Sequence, residues 1–260
     1  MGPTRHGDVN TLLAALLPAV REEIGDALLG VYLYGSGASG GYLPGVSDVD
    51  LLAVTSRDVD GAGLTRLEKM HAGIACAYPS WDDRVEVQYM SRAALETFRT
   101  DPSTIVAVSP GEPIHFREAG WQWTMNWYDV EESGVVLHGP PFSTFVREVS
   151  REEFVAAVRG MMPWWVAHAA VRARSPGAQA YVILTMCRTL YTCQSGIQAS
   201  KEAAAVWAQT ALPAWADVIG RAVAWRRGVR ATVQPVGDIG LRRTVDFVRF
   251  VHGVVGLPPV

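Results

Sequence analysis

Val31-Tyr32-Leu33-Tyr34-Gly35-Ser36, then eleven further residues, then Asp48-Val49-Asp50-Leu51-Leu52, is the stretch on which the reading of this chain turns. Residues 28–34 are apolar and rich in β-formers, and residues 49–54 are a second such run interrupted only by Asp50, so both are predicted strands. The Gly, Ser, Tyr and Pro between them form a loop. A glycine at the end of a buried strand lets the backbone turn closely beneath a bulky anion, where neighbouring N–H groups and the Ser36 hydroxyl can donate to phosphate oxygens. Side chains alternate along a strand, so Asp48 and Asp50 project to one side, where two carboxylates can hold hard Mg²⁺ ions that bridge to phosphates.

A third carboxylate belongs with these. Residues 84–90 alternate polar and apolar as a strand does, and Glu86 in that run can serve as a metal ligand or as the base for an attacking hydroxyl. A lone Asp-x-Asp is common and mostly inert. The succession of strand, Gly-Ser, spaced Asp-x-Asp, apolar strand and acidic strand is much rarer. An acid within residues 49–54 is also costly to bury unless a cation compensates it.

Outward from this centre, Leu12, Leu13, Leu16, Leu17 and Val20 recur at helical spacing and predict an amphipathic helix that closes at Gly25-Asp26. A second helix is predicted over 64–77. Residues 100–120, with prolines at 102, 110 and 113, read as a long irregular excursion. From Phe154 onward strand signals give way to five helix candidates, 154–170, 178–193, 201–211, 215–226 and 241–255. The chain is therefore predicted to be α+β: residues 1–150 a domain with a mixed sheet, and 151–260 an α-helical bundle. Gly139-Pro140-Pro141 and residues 147–153 mark the seam.

The 260 residues are 49% hydrophobic and 19% charged, enough to bury a substantial core. The formal charge of -3 provides no global positive field for nucleic acid or an anionic membrane, so neither is an expected partner. Cys76, Cys187 and Cys193 have neither disulfide-framework nor zinc spacing, which points to a reducing cytoplasm. Residues 1–10 are polar and unlike a signal peptide, and no apolar run approaches the roughly 20 residues of a membrane helix. The six histidines show no metal-ligand spacing, and Cys187 reads as a small buried residue. Trp121, Trp123, Trp127 and Tyr128 could line a pocket or pack a core, and so could Trp164 and Trp165.

Gly35-Ser36 and Asp48-Val49-Asp50 resemble the signature of the nucleotidyltransferase superfamily whose fold is shared with DNA polymerase β. Over nearly the whole chain the resemblance is to the aminoglycoside (streptomycin/spectinomycin) adenylyltransferases: residues 31–36, 47–52 and 85–87 in the first domain, and residues 182–188, Tyr191, Lys201, Val206-Trp207-Ala208 and Leu212-Pro213 in the second. The resemblance implies a polymerase β-like first domain and transfer of AMP from ATP, the co-substrate, to a hydroxyl of a small acceptor bound between the domains, with two Mg²⁺ ions and loss of pyrophosphate. It implies that Asp48 and Asp50 hold metal, that Glu86 is the base, that Ser36 and Ser47 contact the triphosphate, and that Lys201 reaches ATP. Lys201 can alternatively be a solvated charge at a helix start. Trp225 stands where the family has a nucleotide-contacting tyrosine, a position open to stacking or to plain core packing.

Two departures matter. The loop between Ser36 and Asp48 is one residue longer than the family pattern, which a loop tolerates. More consequentially, the family carries acids just before the Val-x-Leu-Thr helix, where cationic drugs need carboxylates, whereas this chain has Val171-Arg172-Ala173-Arg174-Ser175-Pro176-Gly177-Ala178-Gln179-Ala180. Arginines there repel a guanidinium- or ammonium-bearing acceptor. The expected acceptor is thus not streptomycin or spectinomycin but a neutral or anionic hydroxyl compound. The alternatives are a genuine drug-modifying enzyme that confers resistance, and a non-catalytic nucleotide-binding or antitoxin-like protein.

Overall fold

The computed structural model describes residues 2–228 and 238–256, in two compact units, Met1–Val149 and Ser150–Val260. The first unit runs α1 (Gly7–Ile24), β1 (Leu28–Tyr34), α2 (Ser36–Ser39), β2 (Val49–Thr55), α3 (Gly61–Ala77), β3 (Val85–Ser91), α4 (Arg92–Thr97), β4 (Ser103–Ser109), β5 (Glu112–Ala119), α5 (Thr124–Ser133) and β6 (Val135–His138). The six strands form one sheet in the order β5-β4-β3-β2-β1-β6. β2 and β3 pair in parallel and the other neighbours antiparallel, so the sheet is mixed and the fold α+β, as the sequence predicts.

The period of two along each strand sorts the sheet into two faces. Val31, Leu33, Leu51, Ala53, Val87, Tyr89 and Val106 meet Val9, Leu12, Leu13, Leu16 and Val20 of α1 and Leu67 of α3 in one apolar cluster. Each such aliphatic side chain contributes about 1.5–3 kcal/mol on full burial. The opposite face carries Tyr34, Asp50, Glu86 and Gln88. Parallel strands need a crossover connection, and α3 provides it, started by the Asp60 carboxylate, which accepts from Gly63 N–H at 2.7 Å. Of the aromatic cluster, Trp121 is exposed and the rest is core: Trp127 is fully buried, stacked on Trp123 with centroids 5.6 Å apart, and edge-on to Phe98.

The predicted irregular excursion at 100–120 is instead the β4–β5 hairpin. Its prolines lie where a strand tolerates them: Pro102 precedes β4, Pro110 stands in the turn before Gly111 (φ 77°), and Pro113 is on β5, the edge of the sheet. Read as breakers, they concealed the alternation of Ile105, Ala107, His115 and Arg117.

The second unit is helical: α6 (Arg151–Gly160), α7 (Met162–Arg172), α8 (Pro176–Ser195), α9 (Lys201–Ala211), α10 (Ala216–Arg226) and α11 (Asp238–Val255). The single helix predicted over 154–170 is two, divided at Met161 ahead of Pro163, because proline is at home in a first turn and not in a helix interior. A Ser150–Glu153 capping box opens α6. α8 lies at the centre of the apolar cluster, with Val182, Ile183, Leu184, Met186, Cys187 and Leu190 all buried. No helix among the described residues is long and apolar enough to cross a membrane.

Candidate active site

Tyr34, Asp50 and Glu86 are consecutive register partners across β1, β2 and β3, so the three side chains stand in a row on one face of the sheet. Neighbouring strands are about 4.8 Å apart, which sets the spacing of the Asp50 and Glu86 backbones. Asp48, half-buried, immediately precedes β2. Glu86 is held above the ordinary carboxylate range, first by burial and then by the Asp48 carboxylate, while a hydrogen bond from Gln88 and the Arg117 guanidinium pull the other way. The Tyr34 hydroxyl, buried, is pushed up by its surroundings and then by Glu86, Asp50 and Asp129.

Gly35 closes β1 with φ 66° and ψ −150°, a conformation L side chains rarely adopt. A Cβ at this position would also collide with the Asp50 carboxylate, so the residue must be glycine on two counts. Its N–H donates to Asp129 Oδ2 at 2.9 Å. Its carbonyl accepts from the Ala38 and Ser39 N–H groups, which turns the chain into α2 with Ser36 as its first residue.

Ser47 is buried and closes the loop. Its hydroxyl accepts from Leu43 N–H at 2.9 Å, and its carbonyl accepts from Arg84 Nη2 at 2.6 Å. The Arg84 guanidinium is seated over the Trp81 ring, 4.5 Å from its centroid, and ties the start of β3 to the residue before Asp48. Lys201 and Trp225 belong to the second unit. Lys201 begins α9 with its ammonium 4.3 Å from the Tyr181 ring centroid, and Trp225, half-buried, packs on the helical core.

Sequence reasoning missed Gln88, Asn126 and Asp129. Gln88, wholly buried, donates from Nε2 to Glu86 Oε1 at 3.0 Å, and its position two residues on along an alternating strand was the available signal. Asn126 Nδ2 donates to the Tyr34 hydroxyl at 3.3 Å. It and Asp129 lie three apart on α5, inside a segment whose tryptophans drew the reading toward packing.

Among the described residues no group of three or more His, Cys, Asp or Glu forms a metal-holding cluster. Mg²⁺ beside nucleotides is usually bound by one or two carboxylates, with phosphates and water supplying the rest. The donors fit such an ion: Asp48 and Asp50 are hard oxygen ligands, and Asp48 stands near enough to Glu86 to raise its proton affinity.

Residues 13–115 match the family described as nucleotidyltransferase domain, which with this sheet defines the class: the protein is a nucleotidyltransferase. Residues 144–249 match aminoglycoside adenylyltransferase, C-terminal domain. The chain belongs to the aminoglycoside adenylyltransferase-like family. Curated relatives include the spectinomycin 9-adenylyltransferases of Staphylococcus aureus strains Mu50 and N315, each 25% identical over 219 residues, covering 80% of this chain and 81% of theirs. Among solved structures, spectinomycin adenyltransferase AAD(9) from Enterococcus faecialis, determined with ATP and spectinomycin, superposes with a TM-score of 0.76 at 14% identity, covering 94% of this chain and 98% of that one; at this identity the likeness is one of fold.

Proposed function

We propose that this enzyme transfers AMP from ATP to a hydroxyl of a small molecule and releases pyrophosphate, with Asp48 and Asp50 holding two Mg²⁺ ions. The observation that carries the reading is the row formed by Tyr34, Asp50 and Glu86 beside the Gly35 turn. When bound, the Mg²⁺ ions supply charge neutralisation to the triphosphate. Glu86, with its proton affinity raised by burial, takes the proton of the attacking hydroxyl, and Gln88 holds one of its oxygens in place. Ser36, and Ser47 through the loop it closes, serve the triphosphate. Lys201 and Trp225 contribute a cation and a stacking surface to the nucleotide.

The acceptor in this proposal is neutral or anionic. Residues 154–201, which include α7 and α8, contain no Asp or Glu, while Arg172 is exposed and seated over Trp164, 5.3 Å from the ring centroid. A polycation would find no carboxylate partner on these helices. A second reading takes spectinomycin as the acceptor, and the names of the curated relatives and of the AAD(9) structure favour it.

One screen tests both. Pyrophosphate release is measured with each nucleoside triphosphate against a panel of hydroxyl acceptors that includes streptomycin, spectinomycin and anionic metabolites. Turnover with ATP and a non-cationic acceptor supports the first reading. Turnover confined to spectinomycin replaces it with the second, and release from no triphosphate sinks both.

A further inference from the structure

Gly35 and Tyr34 end β1 at the point where the chain leaves the sheet, and both are held from the same helix. Asp129 on α5 is buried; one carboxylate oxygen accepts the Gly35 N–H at 2.9 Å and the other accepts the Ser133 hydroxyl at 2.9 Å. One turn earlier Asn126 reaches the Tyr34 hydroxyl. Residues three apart share a helix face, so α5 presents two polar groups to two successive residues of one strand end. Both carboxylate oxygens are thus engaged, one by the strand end and one by the helix itself, which fixes the side chain between α5 and the Gly35 turn.

We propose that Asp129 is a positioning residue: by fixing the Gly35 amide it sets the height of the Gly35-Ser36 turn against Asp50, and so the place at which a triphosphate seats. The proposal rests on the nucleotidyl-transfer reading above. It assigns Asp129 no contact with substrate. Its content is geometric, and geometry is separable from charge by substitution. Asp129→Asn keeps an acceptor oxygen at the same reach and removes the charge. Asp129→Glu keeps the charge and lengthens the arm by one methylene, which displaces either the turn or the helix.

The test is calorimetric titration of Mg-ATP into the wild-type protein and the two variants, with the Gly35 amide followed in ¹⁵N-glycine-labelled protein by its exchange with solvent. Positioning predicts that Asp129→Asn binds Mg-ATP within about threefold of wild type, while Asp129→Glu loses about tenfold or more, as a displaced hydrogen bond at a binding turn would cost. The Gly35 amide stays protected in wild type and Asp129→Asn and exchanges faster in Asp129→Glu. The opposite order of affinities, or equal affinities in all three proteins, overturns the proposal. A wild-type protein that takes up no Mg-ATP overturns the proposed function instead, and the Gly35 exchange rates still decide whether Asp129 holds the turn.

Discussion

Gln88 Nε2 donates to Glu86 Oε1 across 3.0 Å, so the carboxylate proposed as the base is held by its neighbour two positions further along the same strand. A donor to a carboxylate favours the charged form and lowers its proton affinity, against the burial that raises it. Gln88→Leu removes that donor and keeps the burial. The acid limb of the pH dependence of kcat/KM, measured with the acceptor found in the screen, moves to higher pH in this variant, while the rate at alkaline pH returns toward wild type. An unmoved limb would mean that Gln88 does not govern the protonation of Glu86.

Glu86→Gln separates catalysis from stability. Turnover falls on the order of 10²-fold or more, because an amide cannot accept the proton, while Mg-ATP binding survives. Folded Glu86 binds its proton more tightly than the unfolded chain does, so the ionised form burdens the fold above its raised pKa and leaves it unburdened below the usual carboxylate range. The variant therefore melts higher than wild type at neutral pH. The difference shrinks as pH falls through the raised pKa, a trend that thermal denaturation against pH measures directly.

Asp48→Ala and Asp50→Ala each abolish Mg²⁺-dependent uptake of ATP while the melting temperature holds or rises, since each removes one of several neighbouring negative charges. Calorimetry in the presence and absence of Mg²⁺ reads the effect. Undiminished Mg-ATP affinity in both variants would remove these carboxylates from the metal site.

Gly35→Ala tests the turn without adding or removing a charge. The substitution places a Cβ on a left-handed backbone and into the Asp50 carboxylate, so it is destabilising by about 1–3 kcal/mol and displaces Asp50. Denaturant unfolding gives the first quantity and Mg-ATP titration the second. Alanine at neighbouring Gly45, whose Cβ meets open space but whose φ is 75°, carries the backbone cost alone.

His71 supplies a pH response away from the site. Its Nε2 lies 2.8 Å from the hydroxyl of buried Tyr89, and burial lowers its pKa to about 4. The folded state thus resists a proton that the unfolded chain accepts near pH 6.5. Stability is full above that value and declines by roughly 3 kcal/mol as pH drops toward 4. In His71→Gln that share of the slope disappears. Denaturation curves collected across the window show it, and identical slopes would place the acid sensitivity elsewhere.

The strands that carry the carboxylates were legible because they are short apolar runs broken by single acids: Leu28–Tyr34 was read to its ends, and Val49–Thr55 and Val85–Ser91 to within a residue. Local pattern suffices there, as it does for α9, read as 201–211 and found at Lys201–Ala211. It fails at the β4–β5 hairpin, where a proline's meaning depends on whether its strand lies at a sheet edge, a property of pairing that no local window contains. Asp129 escaped for a related reason: a helix 94 residues from Gly35 becomes its partner only once the sheet is assembled. The aromatic residues around it read equally well as pocket or core, and only burial shows Trp127 to be core.

Because Asp50 and Glu86 meet across the parallel β2/β3 pair, their separation in space is set by the spacing of strands and not by the chain that joins them through α3. Lengthening or shortening that connection by a turn of helix leaves the two carboxylates where they are, provided β3 keeps its register. The number of residues between the second Asp and the Glu is therefore a poor key for finding distant kin. It also bears on substitution: a side chain added at Gly73 on α3 meets open space, and so leaves both carboxylates where the strands hold them.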